Sequence, residues 1–205
     1  MRSRIITVAC ALLMTAAANA QQPSAPAPLQ GGGPPTFKTL IVETVHPYSL
    51  TTLQPAQPVA LVKSRAAASF SAPEHTLAAH FSAMVTHDFD WFLSTWSAEA
   101  QPLVTRREKA SGKTREATFA SWDRMLKGRE IKLLSWIVYG KYVLIDYGIF
   151  VNGQAEPVFS DTVALKPEGG GWKLTQELAA DPILLGWKAP NGRLQVAPES
   201  LMKAR

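Results

Sequence analysis

The chain has 205 residues, with 21 Lys and Arg against 16 Asp and Glu and a formal net charge of +5. The basic residues are interspersed with acids and form no stripe with interleaved aromatics, so a nucleic-acid partner is not expected. The one cysteine, Cys10, lies near the N-terminus. A chain that loses that segment has no disulfide and no thiol chemistry, and its stability must come from a packed core.

Arg2 and Arg4 precede the small and apolar run IITVACALLMTAAA. That run has the length of a signal-peptide core and is too short for a permanent membrane anchor. Ala18-Asn19-Ala20 fits the small-x-small cleavage pattern, so residues 1–20 are expected to leave and the mature chain to begin at Gln21. Loss of Arg2 and Arg4, with no acid, takes the charge from +5 to +3. Lipidation at Cys10 is disfavoured, because Thr7-Val8-Ala9-Cys10 lacks the expected leucine and lies too close to the start. The expected location is the bacterial periplasm or the exterior, with no membrane span after cleavage.

Residues 21–36 are rich in proline and glycine and cannot bury enough apolar surface to fold, so they read as a disordered leader. Residues 37–70 read as an extended arm. Its two β-branched runs, FKTLIVETV and PVALV, flank turn-forming, proline-rich sequence and offer an edge strand. A compact domain is expected over 71–182, with 183–205 as a C-terminal tail.

Three helices are expected to open that domain. Ser71-Ala72-Pro73-Glu74 has the pattern of a capping box with proline at an early helical position, followed by Leu77, Phe81, Met84 and Val85 at helical spacing. FDWFLSTWSAEA follows, entered at Asp88; RREKASGKTRE reads as a basic loop; and TFASWDRMLK, ended by Gly128, is the third helix. Strands then follow, with Gly140-Lys141 and Asn152-Gly153 as two-residue hairpin turns and KPEGGG as a glycine-rich loop before WKLTQEL. Helices first and a meander of four or more strands after them indicate an α+β domain with the helices on one sheet face.

Two-residue turns without bulges fix the register and so the faces. One face then carries Tyr139, Tyr142, Asp146 and Asp161. The other carries Trp136, Val138, Val143, Ile145, Tyr147 and Ile149. Both are apolar enough to need a cover, and one helix layer covers one face. The second set is therefore expected to be an interface, covered by the arm, by another copy of the chain or by an envelope protein complex.

The order helix, helix, helix, then a long curved meander ending in GGGWKLTQEL, resembles the nuclear-transport-factor-like fold shared with ketosteroid isomerase, scytalone dehydratase and SnoaL-type cyclases. HTLAAHFSAMVTHDFDWFLSTWSAEA is similar to the opening helix pair of that family, and GGGWKLTQELAADP to its closing strand. The resemblance spans roughly residues 71–182 and implies a cone-shaped fold with an apolar pocket. The fold hosts enzymes, pocket binders and assembly modules alike.

Asp146 and Asp161 are the foremost catalytic candidates, since a buried carboxyl in such a pocket has a pKa suited to proton transfer. Tyr142 shares their expected face, and Asp90 and His80 are the nearest matches to the second acid or base found in the enzymatic relatives. The alternative is that each aspartate is structural. His80 and His87 lie seven residues apart, near Asp88 and Asp90, but match no ligand spacing such as HExxH, so neither a metal nor another cofactor is expected. Trp91, Trp96, Trp122, Trp136 and Trp172 sit on apolar periods and read as core.

Three classes of function stay open. A non-catalytic assembly or binding module acting through an exposed sheet face and its arms is favoured; a small-molecule isomerase, dehydratase or cyclase and a carrier of a small apolar ligand are the alternatives. An open pocket with a polar base separates the latter two from a core filled by Trp and Phe.

Overall fold

The computed structural model describes residues 44–189. The expected leader and linker (1–36), the first part of the arm (37–43) and the last part of the tail (190–205) lie outside the described residues. The described chain runs β1 (Ser49–Pro58), α1 (Pro73–Val85), α2 (Phe89–Ser94), α3 (Ala100–Ala110), α4 (Arg115–Leu126), β2 (Arg129–Tyr139), β3 (Tyr142–Val151), β4 (Phe159–Glu168), β5 (Gly171–Thr175) and α5 (Pro182–Gly186). The class is α+β, with one open antiparallel sheet of five strands in the order β1-β2-β3-β4-β5. Four helices precede the meander where three were expected, and an open sheet takes the place of the expected cone.

Local chemistry explains most element boundaries. Asp88 caps α2 by accepting from Trp91 N at 2.8 Å, Thr114 caps α4 by accepting from Ala117 N at 3.3 Å, and Gly128 follows α4 at φ +70°. The capping box at Ser71 does not form. Ala72 holds the cap position without a side-chain bond, Pro73 starts α1, and Ser71 Oγ turns instead to His75 Nδ1 at 3.1 Å. The end of α3, residues 106–110, occupies the first part of the stretch that reads as a basic loop, because the helix buries only Ala100 and its last turns are charged.

The first strand is also misplaced by its sequence. β1 lies between the two β-branched runs, in the proline-rich segment itself. The reason is its place at the sheet margin, where a proline's missing N–H removes no ladder bond. A register shift between Thr52 and Gln57 takes up Pro55.

The helix layer and the sheet enclose one core. Leu77 and Phe81 of α1, Trp91 of α2, and Ile145, Ile149 and Leu165 of the sheet are all buried there. Phe81 meets Tyr147 edge-on at 5.1 Å. A smaller cluster closes the opposite sheet face, where Ile137, Leu144 and Ala164 are covered by Leu178 and Ile183 from the end of the chain. Among the described residues no helix is long and apolar enough to cross a membrane.

Candidate functional site

Two irregularities reassign the sheet faces. In β2 the register shifts between Leu133 and Ser135, so Leu133 pairs with Tyr147 while Trp136 pairs with Ile145. Between β3 and β4 the loop extends to Val158, and Asp146 pairs with Thr162 rather than with Phe159, where a two-residue Asn152-Gly153 turn would put it. The displacement is three positions, an odd number, so every β4 side chain changes face. Asp161 lies opposite Tyr147, on the helix-facing side of the sheet and at its exposed margin. Asp146 and Asp161 therefore form no dyad.

Asp146 itself is 5% exposed and already partnered. Its Oδ1 accepts from Lys188 Nζ at 2.7 Å and from Thr162 Oγ1 at 3.1 Å, and Trp187 Nε1 donates to Thr162 Oγ1 at 3.3 Å. This group ties the segment after α5 onto the sheet. Asp161 Oδ1 accepts from the backbone N of Thr162 at 2.8 Å, a local turn-like bond. Tyr142 shares the face of Asp146, but its hydroxyl donates to Glu177 Oε2 at 2.6 Å, and that bond, with burial, raises its pKa.

The remaining candidates are dispersed. Asp90 is exposed in the first turn of α2, where a carboxylate complements the helix dipole. His80 Nδ1 bonds Thr95 Oγ1 at 2.9 Å, with its ring 4.7 Å from Phe92 and 5.7 Å from Trp96, and burial pushes its pKa down to about 3. It is a neutral wedge between α1 and α2. His87 lies beyond the end of α1, bonds Asp123 Oδ1 at 2.9 Å and stacks on Phe119, so it shares no site with His80. Among the described residues no group of three or more His, Cys, Asp or Glu is placed to hold a metal ion.

The expected interface set is corrected as well. Val143, Ile145, Tyr147 and Ile149 belong to the main core, beneath the helices, with Trp136 packed against it. Only Val138, 42% exposed, is open to solvent. The helices choose this face because it presents the larger continuous apolar surface, each fully buried side chain of this kind contributing roughly 1.5–3 kcal/mol. The other face receives the C-terminal segment.

Three features were not legible as sites. The first is the margin of the sheet at β1. β5 at the opposite margin is closed by bonds from Trp172 N to Phe70 O, Leu174 N to Thr95 O and Ser97 N to Leu174 O, at 2.7 to 2.9 Å. No described strand pairs the outer side of β1. Val45, Tyr48 and Leu50, exposed by 84, 37 and 47%, stand at its start. The signal was the absence of charge in SLTTLQPAQP, which its prolines obscured.

The second feature is a charged cluster on Lys166. Its Nζ lies 2.9 Å from Glu99 Oε2, 3.3 Å from Glu168 Oε2 and 2.7 Å from Glu177 Oε1. Burial works to lower the Lys166 pKa, but the three carboxylates outweigh it and the net shift is upward. For Glu99 burial acts to raise the pKa, and bonds from Ser97, Thr175 and Lys166 outweigh it, bringing it down to about 2. The cluster joins the start of α3 to β4 and the segment after β5.

The third is a cavity of about 180 Å³ among α2, α3 and α4, lined by Phe89, Phe92, Trp96 and Trp122 with Leu103, Val104, Arg107, Glu108 and Gln176. Phe81, Trp91 and strand side chains fill the centre of the space between helices and sheet, and a more open pocket of about 260 Å³ remains between Glu74 of α1 and Thr51, Leu53, Gln57, Leu133 and Trp136 of β1 and β2.

No family model matches the chain, and no curated protein matches it. A solved structure that is similar is the solution structure of a SEC-C motif containing protein from Rhodopseudomonas palustris, at 17% identity and a TM-score of 0.38, covering 52% of this chain and 77% of that one. The resemblance to the nuclear-transport-factor-like family is corrected by these findings, which return no member of that family.

Proposed function

We propose that the protein is a non-catalytic binding and assembly module of the bacterial cell envelope that docks a partner strand along the outer edge of β1. One observation carries this reading: Ser49–Thr52 is a strand margin without charge or proline and without a described neighbour on its outer side, with exposed Leu50 within it and exposed Val45 and Tyr48 just before it. Edge strands are ordinarily blunted by Lys, Pro or a bulge, because their free N–H and C=O groups template pairing. Here Pro55, Pro58 and the irregularity after Thr52 blunt only the second half of β1. The first half keeps its pairing capacity.

The occupied state of Asp146 and the separation of Asp161 from it support a non-catalytic role over an isomerase, dehydratase or cyclase. The leader-like sequence of residues 1–20 supports the envelope location.

The test uses the chain from Gln21 onward. Sedimentation velocity over a concentration series, and cross-linking in envelope extract, are compared for the wild type and for Leu50→Lys. Association of the wild type, lost in Leu50→Lys at unchanged melting temperature, supports docking at β1. A wild type that stays monomeric and captures nothing, or a Leu50→Lys variant that associates as the wild type does, overturns it.

A further inference from the structure

The cavity among α2, α3 and α4 has the composition of a small-molecule site. Four aromatic side chains, Phe89, Phe92, Trp96 and Trp122, form its body, and Phe92 and Trp122 lie 4.9 Å apart at a 38° tilt. A volume of about 180 Å³ accepts a single six-membered ring, the scale on which apolar cavities take up benzene. Leu103, 46% exposed, stands at its lip.

Polar groups converge on the same opening. Arg107 makes no ion pair and Gln176 no side-chain hydrogen bond among the described residues, whereas Glu108, the one acid in the lining, accepts from Thr118 Oγ1. The Arg107 guanidinium and the Gln176 amide are thus left with free donors, while one oxygen of Glu108 is turned to Thr118.

The local charge has the same sign. Residues 106–116, RREKASGKTRE, hold five basic side chains against two acidic ones, and they form the end of α3 and the start of α4. Arg115 lies over the Phe89 ring at 3.4 Å from its centroid, so the cationic field reaches the aromatic wall. An aromatic box alone would suit a quaternary ammonium ion, but a box beneath an excess of cations favours an anion.

We infer that this cavity binds a small planar aromatic monocarboxylate, with its ring against the wall that Phe92 and Trp122 form together and its carboxylate at the lip, where Arg107 and Gln176 donate. Arg107 supplies a charge-assisted bond of the kind a guanidinium makes best with a carboxylate. This site is independent of the β1 edge, and its failure would leave the docking proposal as it stands.

The experiment is a titration of the 15N-labelled chain from Gln21 onward with benzoate, toluene and benzyltrimethylammonium in parallel, following the six tryptophan indole N–H signals. Trp96 and Trp122 are the reporters, and Trp136, which lies outside the cavity lining, is the reference. Benzoate is expected to shift Trp96 and Trp122 saturably with Trp136 unmoved, and the other two probes to bind far more weakly. Arg107→Gln, at an exposed position, is expected to weaken benzoate by about tenfold, the scale of one charge-assisted bond. Val104→Trp, which fills the cavity, abolishes the shifts. Unmoved reporters at millimolar benzoate overturn the site. Equal affinity for toluene or for benzyltrimethylammonium, or an unchanged affinity in Arg107→Gln, overturns the carboxylate assignment.

Discussion

Lys188 and Asp146 meet at 2.7 Å although 42 residues separate them along the chain. The carboxylate is nearly buried and the lysine is about half exposed, so the pair is a clamp whose inner jaw is fixed to the sheet and whose outer jaw is open to water. Lys188→Ala leaves the carboxylate in place without its cation. Solvent reaches the lysine side, so the expected loss is about 1–2 kcal/mol, below the range for a fully buried pair. Urea unfolding measures it, and limited proteolysis should cut the segment after Asp181 faster in the variant. Unchanged proteolysis would show that the pair does not hold the segment down.

Ile145 separates a core position from an interface position. Its side chain is 0% exposed beneath the helix layer, so Ile145→Asp places a charge with no partner in the core. A loss of at least about 4 kcal/mol is expected, enough to unfold the chain at ambient temperature. Val138→Asp, on the same sheet face but 42% exposed, should change stability by less than about 0.5 kcal/mol. Circular dichroism melts of the two variants check the contrast.

His80 makes stability depend on pH in the near-neutral range. Its folded pKa, lowered by burial to about 3, lies below the unfolded value of 6.5, so between the two the unfolded chain holds the extra proton. Stability is full above 6.5 and falls as pH drops toward 3, with a slope of at most about 1.4 kcal/mol per pH unit from this group. His80→Gln, which can still bond Thr95, should flatten that slope. Urea midpoints taken from about pH 7.5 down to about pH 4 would show parallel lines for the two proteins if His80 were not responsible.

The Lys166 cluster acts in a more acidic window. The Glu99 carboxyl is held at about 2 against 4.5 when unperturbed, so its contribution is present above 4.5 and lost as pH falls toward 2. Lys166→Met removes the shared cation and leaves Glu99, Glu168 and Glu177 facing one another. A loss of about 1–2 kcal/mol at neutral pH is expected after discounting for solvent screening, together with a smaller difference in stability between pH 7 and pH 3. Denaturant midpoints at those two pH values, with Glu99→Gln in parallel, distinguish the cluster from lost packing of the lysine stem.

Features set by a few adjacent residues were legible in the sequence. The Gly140-Lys141 turn, the Asp88 cap and the buried spacing of Leu77, Phe81 and Met84 in α1 all announce themselves locally, and the structure has each of them, though Val85 at the end of that pattern is 48% exposed. What escaped depends on distant partners. The loop from Asn152 to Val158 carries an Asn-Gly pair that signals a tighter turn, and its true length flips β4. The shift after Leu133 leaves no mark in a run that is apolar on both sides. β1 is a strand because β2 provides a margin for it, not because its own residues favour extension. The partner of Asp146 comes from a tail with no periodic pattern, so the most conspicuous buried acid in the chain suggested chemistry where the structure gives it an anchor.

The strand order β1-β2-β3-β4-β5 has a consequence for the chain as it emerges in sequence order. β1 and all four large helices precede the first strand they can pack on, so the early half of the chain has no sheet to fold against until β2 appears. The β2–β3 hairpin, closed by its two-residue turn, is the natural nucleus, and β4 and β5 add to it through short connections. β1 then joins across the whole helical stretch, a costly long loop closure, and Leu178 and Ile183, which follow β5, seal Ile137 and Leu144. A chain interrupted before Leu178 would thus carry a nearly finished sheet with one hydrophobic face bare, and would be a substrate for aggregation or for quality control rather than a smaller working protein.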